Sequence, residues 1–237
     1  MDEGMEPAVT RSRHSYGGRR KRPRQDTAPI APASATSRRV CFLGDSIVLG
    51  VGDPTHRGWV GHVPRLAAGA GVDLTAYNLG IRGQTTPLIA ERFPEALARL
   101  PQGQGHLVVS GGINDTDLAG GRVRSTTAES VAALRRLLGA ASSAGIDTLV
   151  VSPTPVADAG HQRRLEGLSE AFSALTTAMG VPYVDVMSIL SSRREWGEAM
   201  TVGDGYHPAE RGYRHLASTI WAAGMCCWLD QDLRHPR

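Results

Sequence analysis

Ser46, Asp204 and His207 are the residues of this sequence best suited to covalent chemistry. Ser46 stands in Gly44-Asp45-Ser46-Ile47, directly after a short apolar run. A serine hydroxyl is a poor nucleophile until a base takes its proton. Asp204 and His207 lie three residues apart in Asp204-Gly205-Tyr206-His207-Pro208. That spacing lets the carboxylate fold back onto one imidazole nitrogen and leaves the other nitrogen to accept from a hydroxyl. Pro208 biases His207 away from helical geometry. The helix start expected after it disfavours the imidazolium and so favours a neutral base. Asp204 would counter this once charge forms on the ring in the transition state. The chemistry these three could perform is acyl transfer through serine.

Acyl transfer also needs donors for a developing oxyanion. The sequence offers three: the Ser46 amide, a glycine amide within Asn78-Leu79-Gly80-Ile81-Arg82-Gly83-Gln84-Thr85, and the side-chain amide of Asn114 in Gly111-Gly112-Ile113-Asn114-Asp115. A glycine suits the second role because the backbone can approach a substrate with no Cβ in the way.

Elements must bring these segments together. Five short apolar runs, Val40–Leu43, Leu74–Leu79, Leu107–Ser110, Thr148–Ser152 and Pro182–Val186, have the character of strands buried on both faces of a parallel sheet. Helical patterns separate them. Thr126-Thr127-Ala128-Glu129 is a capping box that opens a helix with Val131, Leu134, Leu137 and Leu138 on one face, stopped near Gly145. Leu165, Leu168, Phe172, Leu175 and Met179 form a second stripe, closed by Gly180. A third, Tyr213, Leu216, Ile220, Ala223 and Cys227, follows Pro208, which is expected at the first helical position. Trp59–Ala68 and Thr86–Leu100 are weaker helices, the latter interrupted by Pro94. Repeated strand–helix alternation predicts an α/β fold: a three-layer α/β/α sandwich around a five-stranded parallel sheet. In such sheets ligands bind beyond the carboxyl ends of the strands. The Ser46, Gly80–Gly83 and Asn114 segments each follow a strand, so topology sends them to one edge.

Taken in order, the four segments resemble the sequence blocks of the SGNH/GDSL hydrolase superfamily, and they span residues 44–208. The resemblance implies a flavodoxin-like fold, Ser46 as nucleophile, Asp204 and His207 as the rest of a triad, and Ser46, Gly83 and Asn114 as oxyanion donors. Gly83 is preferred to Gly80 because the N-x-G-I-x-G-x-T-T pattern resembles family members in which the second glycine donates. Ile47 stands where relatives usually have Leu, a neutral exchange. Arg82 and Gln84 occupy positions often small or acidic in relatives and bear on substrate choice. The implied activity is a serine hydrolase cleaving carboxylic esters or thioesters of small or flexible acyl groups, with no metal or organic cofactor. Two alternatives use the same segments: an acyltransferase with a sugar or alcohol acceptor, and a non-catalytic module binding acyl or glycan ligands. A binder has no need of a complete triad, which argues against the second.

Composition sets outer bounds. The chain has 237 residues, 41% of them hydrophobic, enough for one sizeable core. Residues 1–39 hold nine Lys/Arg against four Asp/Glu, whereas the rest holds seventeen against nineteen. The excess of positive charge thus belongs to a tail, and no nucleic-acid partner is expected of the folded part. Residues 1–38 have almost no large aliphatics and are expected to be a disordered basic tail. Residues 39–230 form the expected hydrolase domain and 231–237 a C-terminal tail. Lys21 is the only lysine, which excludes a P-loop. Arginine in place of lysine suggests a GC-rich bacterial genome. Cys41, Cys226 and Cys227 suit buried apolar roles better than a disulfide scaffold or zinc site.

Several features are decoys. Ser37-Arg38-Arg39-Val40-Cys41-Phe42-Leu43 looks like a twin-arginine signal, but its apolar stretch is too short and cleavage there would remove Ser46. A cytoplasmic, single-domain monomer without a membrane span is therefore expected, acting on a small-molecule ester. Gly50-Val51-Gly52 is an incomplete dinucleotide fingerprint, and Asp115 with Asp117 does not make a cation site. His56, His62, His106, His161 and His215 lack metal-ligand spacing and suit surface or packing roles, as Trp59 suits the core.

Overall fold

Arg38–Gly44 forms the first strand, β1, and its side chains alternate between two apolar environments. Val40 and Phe42 join one core, Cys41 and Leu43 the other, and all four are fully buried. A strand covered on both faces must be apolar at successive positions, which is why the segment is a continuous run. The structure, a computed structural model, describes Met1 and residues 37–101 and 105–234. The tail expected over residues 1–38 lies outside the described residues except at its ends. Arg38 belongs to β1, paired with Leu74.

After β1 come α1 (Ser46–Leu49), a short turn of helix at Val60–His62, α2 (Val63–Gly69), β2 (Leu74–Gly80), α3 (Thr86–Glu91) and α4 (Phe93–Leu97). Next are β3 (His106–Ser110), α5 (Ile113–Thr116), the strand pair β4 (Leu118–Ala119) and β5 (Arg122–Val123), and α6 (Thr127–Ser143). Then follow β6 (Asp147–Val151), α7 (Ala159–Met179), β7 (Tyr183–Val184), α8 (Val186–Ser191), α9 (Arg194–Val202) and α10 (Glu210–Ile220). A wide turn at Trp221–Met225 leads to α11 (Cys226–Arg234).

Five strands form a parallel sheet in the order β2-β1-β3-β6-β7. This is the flavodoxin-like winding, with its switch point between β1 and β3. One core packs Trp59, Val63, Val186, Tyr213, Leu216 and Ile220 on the sheet. The other packs Ile89, Phe93, Leu134, Leu138, Leu168 and Phe172 on the opposite face. Trp59 is buried edge-on against Phe42, with ring centroids 5.4 Å apart. The register sets Gly44 opposite both Gly80 and Ser110. Three neighbouring strands therefore end level, and the loops after them leave the sheet at one height.

The helix ends follow local chemistry. Thr126 and Glu129 form the reciprocal capping box of α6, and Gly145 takes a left-handed φ of +67° beyond its end. Gly180 closes α7 in the same conformation. Thr86–Leu100 is two helices, because Pro94 has no N–H to continue the ladder and sits in the first turn of α4.

Several expectations need correction. Pro208 is not the first helical residue: Ala209 is extended (φ −66°, ψ 177°) and α10 begins at Glu210. The stripe after Ile220 does not continue through Ala223 and Cys227, which are exposed. A kink at Gly224 (φ 162°, ψ −28°) redirects the apolar face, so Met225, Trp228 and Leu229 are buried instead. Of the cysteines, Cys41 is buried, whereas Cys227 is exposed. Helix α11 extends to Arg234, past the expected domain end at 230, and residues 235–237 lie outside the described residues. The β4–β5 pair was not anticipated, since strands of two exposed or half-buried residues carry no periodicity. Among the described residues no helix is long and apolar enough to cross a membrane.

Candidate active site

The turn after β1 fixes Ser46. Gly44 must be glycine, because a Cβ there would lie 2.2 Å from the Ser110 carbonyl oxygen of β3. Asp45 caps α1, its Oδ1 accepting from the Ile47 N–H at 2.9 Å. Ser46 opens α1, so its N–H has no intrahelical carbonyl to bond.

The loop between α9 and α10 supplies the base. His207 Nε2 lies 2.8 Å from Ser46 Oγ, and His207 Nδ1 lies 2.8 Å from Asp204 Oδ2. A carboxylate only accepts, so Nδ1 carries the proton in the neutral ring and the Nε2 lone pair faces the serine hydroxyl. Asp204 Oδ1 also accepts from the backbone N–H groups of Tyr206, at 3.0 Å, and His207, at 2.9 Å. Partial burial raises the Asp204 carboxyl, but these bonds outweigh it and hold the group at about 2. Asp204 is therefore ionised throughout the neutral range.

Gly50-Val51-Gly52 serves this loop rather than a nucleotide. Gly52 adopts φ +85°, and a Cβ on it would come 3.1 Å from His207 Cβ. Tyr213 Oη donates to the Val51 carbonyl at 2.6 Å, tying the turn to α10. Asp53 anchors the next turn by accepting from the N–H groups of Thr55, Arg57 and Gly58.

The loops after β2 and β3 meet beside Ser46. Gly80 is not available as a donor, because its N–H already bonds Asn78 Oδ1 at 2.9 Å. Gly83 takes φ +78°, a conformation that favours glycine. Asn114 Nδ2 donates to the Gln84 carbonyl at 3.0 Å and lies 3.4 Å from Asp45 Oδ2. Beneath it, wholly buried Asp115 accepts from the Thr86 N–H at 2.9 Å and from the Ser130 hydroxyl. Burial raises the Asp115 carboxyl against the pull of those bonds. Burial also raises Asp45, helped by the nearby charge of Asp115 and opposed by the Ile47 N–H, to about 7. Asp115 thus joins two loops. Among the described residues no group of three His, Cys, Asp or Glu side chains could hold a metal ion.

Ser46, Asn114, Asp204 and His207 line one cleft of about 230 Å³. Arg82, Asp117, His161 and Tyr206 share its walls. Gly83 follows wall residue Arg82 but does not itself line the cleft.

Two residues at the site had no sequence signal. His161, expected to take a surface or packing role, is buried at the cleft and donates from Nε2 to the Ile113 carbonyl at 3.0 Å. Burial lowers its imidazole. Arg124 reaches from the end of β5 to Asn114 and Gly83. Each reaches a backbone carbonyl more than forty residues away, and nothing in local spacing marks such partners.

Comparison with solved structures gives the same fold. A lipase/acylhydrolase from Enterococcus faecalis superposes with a TM-score of 0.67 at 24% identity, over 84% of this chain and 98% of that one. A GDSL-family lipolytic protein from Veillonella parvula gives 0.65 at 22% identity, over 79% and 98%. An acetylxylan esterase from Geobacillus stearothermophilus, solved as a catalytic mutant, gives 0.65 at 18% identity, over 79% and 94%. No curated protein matches the chain. The GDSL-like Lipase/Acylhydrolase family model matches residues 42–215, a stretch that runs from β1 into α10 and includes all five residues weighed above, and the chain belongs to that family.

Proposed function

We propose that the protein is a serine hydrolase that cleaves carboxylic esters or thioesters through an acyl-enzyme. The observation that carries this reading is the unbroken relay from Asp204 through His207 to Ser46, with both contacts at 2.8 Å. Ser46 Oγ attacks the substrate carbonyl as its proton passes to His207 Nε2. The oxyanion forms against the N–H groups of Ser46 and Gly83 and the Asn114 side-chain amide. Collapse expels the alcohol or thiol, which takes the proton from Nε2. Water then gives a proton to Nε2, attacks the acyl-enzyme, and releases the acid with Ser46 restored. Asp204 holds the ring tautomer and stabilises the imidazolium. None of these steps requires a cofactor.

A cleft of about 230 Å³ suits small or flexible acyl groups. p-Nitrophenyl acetate and butyrate are the first substrates to try. Acetylated xylo-oligosaccharides join them because an acetylxylan esterase shares the fold. Ser46→Ala is expected to abolish turnover and fluorophosphonate labelling while leaving the circular dichroism unchanged. Undiminished turnover in that variant overturns the assignment, and an acyl-alcohol product in place of free acid identifies a transferase.

We also place the reaction in the cytoplasm. Arg38 and Arg39 are the first residues of a strand within the central sheet, a position that suits structure better than export. Native protein recovered from culture supernatant and processed near residue 38 overturns this.

A further inference from the structure

One guanidinium spans the loops that carry two of the proposed oxyanion donors. Arg124 follows β5. Its backbone N–H bonds the Asp117 carbonyl at 3.1 Å, and the next N–H, of Ser125, bonds the Asp115 carbonyl at 3.0 Å. These contacts return the chain over α5, which bears Asn114. From there Arg124 Nη2 donates to the Gly83 carbonyl at 2.7 Å, and Nη1 donates to Asn114 Oδ1 at 3.3 Å.

The contacts decide an orientation. A primary amide can lie two ways, related by a half-turn that exchanges its oxygen and nitrogen. As found, Asn114 Oδ1 faces a cation and Nδ2 faces the Gln84 carbonyl. After a half-turn, the NH₂ would face the guanidinium, and Oδ1 would face another carbonyl oxygen. Both contacts would then be repulsive. The bond to Gly83 is short and charge-assisted, and it restrains the peptide between Gly83 and Gln84. The same side chain therefore sets the pose of the Asn114 amide and the path of the Gly83 loop.

We propose that Arg124 is a positioning residue of the oxyanion site, acting through Asn114 and Gly83 rather than on the substrate. The inference rests on the acyl-transfer reading above. It predicts a loss in the transition state with little change in ground-state binding. Removing an oxyanion donor outright costs ~10²–10³ in rate, so Arg124→Ala is expected to lower kcat by about 10–100-fold. KM should stay within about threefold, the pattern of an interaction made in the transition state.

The test is a double-mutant cycle on p-nitrophenyl butyrate with R124A, N114A and R124A/N114A. Arg124→Ala is expected to cost much less when Asn114 is already alanine, because the two act as a unit. An equal cost in both backgrounds overturns the proposal, as does an unchanged kcat in the single variant. R124K keeps the charge but cannot span both acceptors, and an intermediate kcat supports the bridging role. It also serves as the informative variant if R124A fails to fold; wild-type kcat in R124K then overturns the proposal. If the wild-type protein turns over no ester, the function reading fails. The Asn114 side-chain NH₂ resonances then decide: shifted in R124K, they support positioning; unmoved, they overturn it.

Discussion

Gly80 of β2 and Leu49 of α1 pack so closely that a Cβ on Gly80 would lie 2.2 Å from the Leu49 backbone nitrogen. It would also lie 2.8 Å from the Asp45 carbonyl oxygen. The neighbours are backbone and cannot swing aside. Gly80→Ala must push α1, and Ser46 with it, away from β2. Overpacking of this kind costs about 1–3 kcal/mol. We expect a lower urea midpoint and a fall in esterase activity. Gly83→Ala is the control for packing alone: a Cβ there meets no atom within 4 Å, and within the fold only its φ of +78° is penalised. Equal midpoints for Gly80→Ala and wild type would refute the packing argument.

Asp204→Asn tests the relay from its far end. An asparagine can offer its NH₂ to His207 Nδ1 and so favour the tautomer with the proton on Nε2. The nitrogen facing Ser46 then carries a hydrogen and cannot act as base. In a serine protease triad the corresponding change lowers kcat about 10⁴-fold. We expect a loss of about 10²–10⁴ in kcat on p-nitrophenyl acetate, with KM nearly unchanged. A loss under about threefold would detach Asp204 from catalysis.

Asp45 predicts a pH dependence of stability. Its carboxyl sits near 7 in the folded protein against about 3.9 in an unfolded chain. Between those values the folded state keeps a proton that the unfolded state has lost. Stability therefore falls as pH rises through that window and levels off above about 7. One such group contributes up to about 1.4 kcal/mol per pH unit. His161, whose imidazole is lowered, acts in the opposite sense at the acid end. The difference between wild type and Asp45→Asn isolates Asp45. Urea midpoints from pH 5 to 8 should fall less steeply in the variant; parallel slopes would contradict the raised carboxyl.

Tyr213→Phe removes the hydroxyl that bonds the Val51 carbonyl at 2.6 Å and leaves the ring in the core. A lost hydrogen bond of this kind costs about 1–2 kcal/mol. Because that bond fixes the turn carrying Gly52, which abuts His207, kcat should fall with stability. Calorimetry and steady-state rates together test this, and an activity loss with no change in melting temperature would point away from the turn.

The features legible in the sequence are those whose cause is local. Val40–Leu43 is apolar at every position because both faces of β1 are covered. Thr126 and Glu129 announce α6 because a capping box closes within four residues. Ser46, Gly83 and Asn114 are legible because three adjacent strands end level and send their loops to one edge, whereas Asp204 and His207, between α9 and α10, are legible from their own three-residue spacing. What escaped notice depends on distant partners. Arg124 meets a carbonyl 41 residues away, and His161 meets one 48 residues away. The kink at Gly224 escaped too, since one non-helical residue changes the buried face of the following helix without changing the apolar composition around it.

The hydroxyl of Ser46 and the imidazole of His207 are 161 positions apart along the chain. Synthesis delivers the first with the opening strand and the second only near the end. On the proposed assignment a growing polypeptide holds an inert alcohol until its final helices dock. Premature termination before residue 207 thus yields no partial enzyme, and two separately expressed halves would regain turnover only by reassembling around the sheet.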